Sequence, residues 1–303
     1  MLQAAPFTVR ADGSLRRYAE MTAAAAPGAA ASIAAELGLP AATRGTIALL
    51  GPETTDEEIR QAASGIPGWA AGITLPSSGR ILIRLDRLGA YGQRQLLSVL
   101  DHELVHLTVA QGLEGREGRL PPWLAEGIAS SLAHEGEWRD LWIVWTSPLA
   151  SSSRPFAELD AALARGEESK SLAYAGSLAA VGFLRERYGP GLVPALFAGM
   201  RSGADFESAF SAASGTTIRD AESAWARELN LPWIWLVRIG SSYTIWMIAT
   251  LLVLVAYLVK RSRSRRTLDR WSDDEGPPPP RDPGPADPFG GFRGAGGGDE
   301  TIH

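Results

Sequence analysis

From Gln93 to Ala110 the chain reads QRQLLSVLDHELVHLTVA, and its apolar positions return every three or four residues. Leu96, Leu97, Leu100, Leu104 and Leu107 form one stripe with no Gly or Pro interrupting it, the pattern of an amphipathic helix. A different pattern precedes it. FTVR, TIALL and RILIRL are short runs with β-branched residues, bounded by Gly and Pro, and they predict strands. After the stripe, PPWLAEGIASSLAHE opens on Pro121 and Pro122 and predicts a second helix carrying Glu126, Ile128, Ala129 and Leu132. The Ala-rich patch AAAAPGAAA reads as helix or linker filler, and no internal repeat is visible.

The pattern changes again towards the C-terminus. The run from Ile239 to Val259 carries no charge and is followed at once by KRSRSRR. At about 1.5 Å of rise per residue it is long enough to cross a hydrocarbon core of about 30 Å. Trp233, Trp235 and Trp246 suit positions at or near a membrane interface. The competing reading is a buried core helix. A helix apolar all round, flanked by bases and a polar tail, has little left to be buried in. Residues 260–303 are dominated by Pro, Gly and charge and predict a disordered tail. The expected organisation is a globular domain over 1–232, a transmembrane helix over 239–259, and a basic juxtamembrane segment with its tail over 260–303.

Lys260, Arg261, Arg263, Arg265 and Arg266 lie directly after the span, with only Arg227 and Arg238 close before it. The positive-inside tendency places the tail in the cytoplasm and the domain outside it. A domain outside needs an export signal, yet MLQAAPFTV has neither a basic start nor a long apolar stretch. The expectation is that a signal peptide is missing upstream.

Composition narrows the chemistry. The chain has 303 residues, 45% of them apolar, enough for a substantial core. A net charge of −5 gives no reason to expect nucleic acid as a partner. The absence of cysteine removes disulfides, thiolate metal sites and thiol catalysis.

Two of the four histidines, His102 and His106, sit four apart within DHELVH. On a helix both imidazoles project from one face, about one turn apart. Zinc takes nitrogen ligands at about 2.0–2.1 Å in a tetrahedron, and such a pair supplies two corners. Glu103 is then within reach of a metal-bound water as general base. Chance alone produces HExxH in some chains, so the context matters. A catalytic zinc keeps three protein ligands and one open position, and Glu126 on the following helix is the candidate third. A metzincin pattern fails, because Val109 and Gly112 stand where Gly and His would be required. Two His and one Glu are the ligand set of thermolysin-like enzymes.

DHELVH, PPWLAEGIA, LAYAGSLAAVGFLRERYG and ESAWARELN together resemble the peptidase MA-like family of gluzincins, from about Phe7 to Asn230. IPGWAAGIT and GRILIRLDR fit the same pattern upstream. The resemblance implies an α+β zincin fold with a small N-terminal sheet, an active-site helix and a helical C-terminal subdomain, the sheet edge lying beside the metal. It implies zinc ligation by His102, His106 and Glu126, Glu103 as base, and a peptide or protein as substrate. It also puts Tyr174 where a tyrosine faces the site and stabilises an oxyanion; the alternative is a Tyr packed on a helix. One departure stands out. Many gluzincins carry an acidic residue four positions after the third ligand, and here that position is Ser130. Asp101 points roughly 100° around the helix from His102 and is a weak substitute.

His134 is either a ligand or a solvated surface residue, and Tyr188 reads as packing at a helix end before a Gly-Pro turn. Trp138, Trp142 and Trp145 could line a groove, fill core or rest on a bilayer. An exposed sheet edge at RILIRL would let an extended peptide add as a strand. The expected function is a membrane-anchored, extracytoplasmic zinc metallopeptidase. Its rivals are a degenerate zincin that binds a peptide without cleaving it, and a structural membrane protein with an accidental HExxH.

Overall fold

The three β-branched runs are strands, and two further short ones join them: β1 (Leu2–Ala4), β2 (Phe7–Arg10), β3 (Gly45–Leu50), β4 (Gly72–Leu75) and β5 (Arg80–Arg84). The structure is a computed structural model that describes residues 1–63, 70–88, 92–134, 143–145, 147–230, 249–258 and 260–261. The sheet order is β1-β2-β3-β5-β4. β2, β3 and β5 run parallel, while β1 and β4 are antiparallel to their neighbours. This corrects the expectation about the edge. RILIR is β5, hydrogen-bonded on both sides, and the edge strand is β4, whose GITL is too short and too poor in alternation to be read as a strand.

Side-chain alternation divides the sheet into two faces. Ile47, Leu49, Ile81 and Ile83 point into the main core, whereas Ala48, Leu50 and Leu82 point the other way against Ile59 of α2 (Glu57–Ala63). The main face is covered by α1 (Arg16–Leu37) and α3 (Gly92–Gly112). AAAAPGAAA belongs to α1, with Pro27 inside the helix. On α3, Leu96, Leu100, Leu104 and Leu107 are fully buried, while Leu97 is only half-buried at the margin of the stripe.

Among the described residues up to 230, the longer helices that follow are α4 (Pro122–Leu132), α5 (Pro155–Arg165), α6 (Lys170–Tyr188), α7 (Leu192–Arg201), α8 (Phe206–Ser214) and α9 (Ile218–Leu229). The chain is therefore α+β, with a small sheet and a mostly helical body. An aromatic stack ties the helices together. Trp123 lies 4.0 Å from Phe156, which lies 5.3 Å from Trp225, ring centre to ring centre. Glu222 of α9 closes the start of α5 by accepting bonds from the Phe156 and Ala157 amides at 3.0 and 3.2 Å. Charge on a carboxylate is favourable at a helix N-terminus.

Residues Met1–Ile239 form one unit and Gly240–His303 another. Among the described residues no helix is long and apolar enough to cross a membrane. Most of the expected span lies within 231–248 and 259, outside the described residues, as does nearly all of the tail. The described part, 249–258, is helical, and its Leu251, Leu252, Val253 and Tyr257 are exposed.

Candidate active site

The two histidines lie on one face of α3, one turn apart, with ring centres 5.0 Å from each other. Both Nε2 atoms turn towards Glu126 on α4. The separations are 3.2 Å between the two Nε2 atoms, 3.3 Å from His102 Nε2 to Glu126 Oε2, and 3.8 Å from His106 Nε2 to the same oxygen. A metal with tetrahedral ligands at about 2.0–2.1 Å needs those ligands about 3.3 Å apart, so the triangle has the right size. It is also the one group of three potential metal ligands among the described residues. Glu126 Oε2 is buried and no donor hydrogen-bonds it. A buried carboxylate oxygen without a donor is costly unless a cation satisfies it. The residues present therefore fit a metal ion. Burial disfavours charge on Glu126, but the adjacent imidazoles of His102 and His106 outweigh it and hold the carboxyl well below its usual range.

Glu126 reaches this position through close packing behind it. The next residue is Gly127, and a Cβ there would lie 2.3 Å from the Ser177 carbonyl oxygen of α6. Only glycine lets the two helices approach this closely. At the start of α4 the Trp123 amide donates to Asp160 Oδ1 at 3.0 Å, which fixes the helix lengthwise.

Glu103 is buried, 6% exposed, beside the ligand triangle. Its Oε2 lies 2.6 Å from the Thr74 hydroxyl, which is also 2.9 Å from the Glu103 backbone carbonyl oxygen. Burial pushes the Glu103 carboxyl up, against the charges of His106 and His102 and the Thr74 hydrogen bond. Thr74 belongs to the edge strand β4. Two positions earlier is Gly72, where a Cβ would sit 2.6 Å from Glu103 Oε1. Neither residue was singled out from sequence, although both stand in the stretch GIT. Their role depends on β4 crossing α3 at Glu103, a contact between distant parts of the chain.

Opposite α3, Tyr174 on α6 has its ring centre 6.1 Å from that of His102. Together with Gly72, Val99, Glu103 and Lys170 it lines a cavity of about 210 Å³. The other sequence candidates lie elsewhere. His134 is exposed after the end of α4, at a positive φ of 51°, outside the ligand triangle. Asp101 is affected by burial, which raises its carboxyl, and by the charge of His134 rather than of His102 or His106. The Ser130 hydroxyl is buried without a hydrogen-bond partner, so it supports neither histidine. Tyr188 packs edge-on against Phe210 at 6.1 Å. Trp145 packs partly buried against the core, whereas Trp138, Trp142, Trp233, Trp235 and Trp246 lie outside the described residues.

The sequence model of the Peptidase MA superfamily matches residues 42–230, which runs from just before β3 to the end of α9. No curated protein matches the chain.

Proposed function

The chain belongs to the Peptidase MA superfamily, and from that premise we propose that it is a zinc metallopeptidase of the gluzincin type. The observation that carries the reading is the convergence of His102, His106 and Glu126 beside a buried Glu103 and across a cavity from Tyr174. A zinc ion on those three residues would polarise a scissile carbonyl and lower the pKa of water towards about 7.

The protein's own groups supply the rest. Glu103 is the general base: its carboxylate takes a proton from the attacking water and passes it to the leaving amine. Thr74 serves both states of that carboxyl. While Glu103 is ionised, the Thr74 hydroxyl donates to Oε2. Once Glu103 carries the proton, Glu103 can donate to Thr74 Oγ1 and the hydroxyl can turn to the Glu103 carbonyl oxygen, 2.9 Å away. Tyr174, which lines the same cavity, would donate to the developing oxyanion. Among the described residues no strand pairs with the outer side of β4, and an extended peptide added there would bring one bond to the site.

The uncharged run before KRSRSRR supports a single transmembrane helix, with the peptidase domain extracytoplasmic and the tail cytoplasmic. In the native host, protease added to spheroplasts is expected to digest the domain and spare an epitope fused after His303. Loss of the epitope with survival of the domain would invert the topology.

The activity is tested on the full chain in detergent, by metal analysis and a peptide-library digest. The expected result is about one zinc per chain and hydrolysis that collapses in Glu103→Gln while zinc stays. Turnover by Glu103→Gln at the wild-type rate removes Glu103 from the role of base. A second reading, a degenerate zincin that binds peptide without cleaving it, draws on Ser130 in place of the acidic residue many gluzincins carry. Zinc content with peptide binding but no hydrolysis by the wild-type chain would select it.

A further inference from the structure

His102 and His106 share one helix, but Glu126 meets them only if α4 stands at the right height beside α3. The start of α4 is held from outside the helix. Pro121 and Pro122 have no amide N–H to bond. The Leu124 and Ala125 amides donate to the Pro121 carbonyl oxygen at 3.0 and 3.1 Å. Pro121 occupies the N-cap and caps nothing with its side chain. That leaves the amide of Trp123, a residue only 2% exposed, and Asp160 Oδ1 of α5 accepts from it at 3.0 Å. The first amides of a helix are ordinarily capped by a neighbour in sequence. Here the cap comes from 37 residues away, so it fixes one helix against another as well as satisfying a donor.

α5 is anchored in the same way. It opens on Pro155, its N-cap residue Arg154 makes no side-chain cap, and Glu222 of α9 accepts from the Phe156 and Ala157 amides. The rings of Trp123, Phe156 and Trp225 stack across the same helices, so each of the two joints combines a ring contact with a carboxylate. Glu126 lies three residues after Trp123, about 4.5 Å along the axis of α4. Within less than one turn, a shift at Trp123 passes unchanged to Glu126. Gly127 sets the distance between α4 and α6 but has no side chain to interlock along the axis. A metal site tolerates about 0.2 Å in its bond lengths, so a slide of about 1 Å is enough to spoil one corner of the triangle. From this we propose that Asp160 is a positioning residue for the metal centre: by holding the Trp123 amide it sets the height of α4 and so presents Glu126 to the ion that His102 and His106 bind. The inference rests on the metal reading of the site above. Asp160 acts through the Trp123 amide, not by contact with the ion.

The test uses the full chain in detergent. Zinc affinity is read by chelator competition, the ligand geometry by the visible absorption of the cobalt(II)-loaded protein, and folding by circular dichroism. Asp160→Ala is expected to weaken zinc by about ten-fold, as when a ligand loses its support, and to shift the cobalt bands. Asp160→Asn keeps an acceptor oxygen of the same reach and should return both readouts to near wild type. Asp160→Leu, similar in size but without an acceptor, replaces Asp160→Ala if that variant does not fold. The control is Asp205→Ala. Asp205 caps α8 by accepting from the Ser208 amide at 2.8 Å, and α8 carries none of the three ligands. Stability should therefore fall in Asp205→Ala while the zinc and cobalt readouts stay at wild type. A folded Asp160→Ala or Asp160→Leu with wild-type zinc affinity and cobalt spectrum overturns the positioning role. So does an Asp160→Asn as weak as Asp160→Ala, or a loss of zinc affinity in Asp205→Ala as large as in Asp160→Ala. A wild-type chain that takes up neither zinc nor cobalt overturns the metal reading itself, and the role of Asp160 with it.

Discussion

The two walls of the site are built on opposite principles. The α3 wall is held by bulk: Leu96, Leu100, Leu104 and Leu107 bury completely in the main core, and His102 and His106 project from a different side of the same helix. The wall made by α4 and α6 is held by the lack of bulk. Gly127 lets α4 come so near α6 that any side chain there would meet the Ser177 carbonyl, and Glu126 is carried in by that approach. The first wall fixes the spacing of its ligands within one helix. The second fixes its ligand only through the distance between helices. A change to a ligand should therefore look alike on both walls, while a change to the support should not.

The largest effect is expected where the walls are equal. His106→Ala on α3 and Glu126→Ala on α4 should each lose most of the bound zinc, a fall in affinity of about 100-fold or more, read by metal analysis after dialysis. Full occupancy in both variants would end the assignment. Gly127→Val comes next and separates the walls. Its side chain meets backbone rather than a yielding side-chain tip, so a loss of about 3 kcal/mol or more of stability is expected in denaturant titration. A near-wild-type midpoint would show that α4 and α6 can part at little cost.

Gly72→Ala probes the support of the α3 wall and should behave differently. The added Cβ meets Glu103 Oε1 at 2.6 Å and Val99 Cγ1 at 2.8 Å, both side-chain atoms that can shift. Zinc and fold should be kept while hydrolysis falls by about 10- to 100-fold, the penalty of a misplaced base. Equal loss of zinc and activity would mean that β4 supports the ligands rather than the base. The smallest effect provides the control. Gly182 lies on an exposed position of α6 with open space around it, so Gly182→Ala should stabilise the protein by roughly 0.5–1 kcal/mol. If it destabilises instead, α6 tolerates no substitution and the result at Gly127 loses its meaning.

The sequence alone determined what lies within single elements. The three-and-four recurrence of leucines made α3 a helix with one buried face, and helix geometry then required His102 and His106 to project together. The β-branched runs bounded by Gly and Pro marked β2, β3 and β5, and that signal is local too. Proline at the start and an apolar face marked α4. The long uncharged run and the bases after it are equally local, so a membrane span could be proposed from them without any fold. Other features depended on contacts between segments far apart in the chain. Gly72–Leu75 carries little strand signal, and it is a strand because β5 supplies its hydrogen bonds; its place at the edge follows from pairing, not composition. Thr74 meets Glu103 because β4 crosses α3, and Lys170 joins the site because α6 packs against α4 across Gly127. Periodicity records which face of an element is buried. It does not record which partner buries it, and the partners of Glu103, Glu126 and Tyr174 were decided only when the helices and the edge strand closed around one cavity.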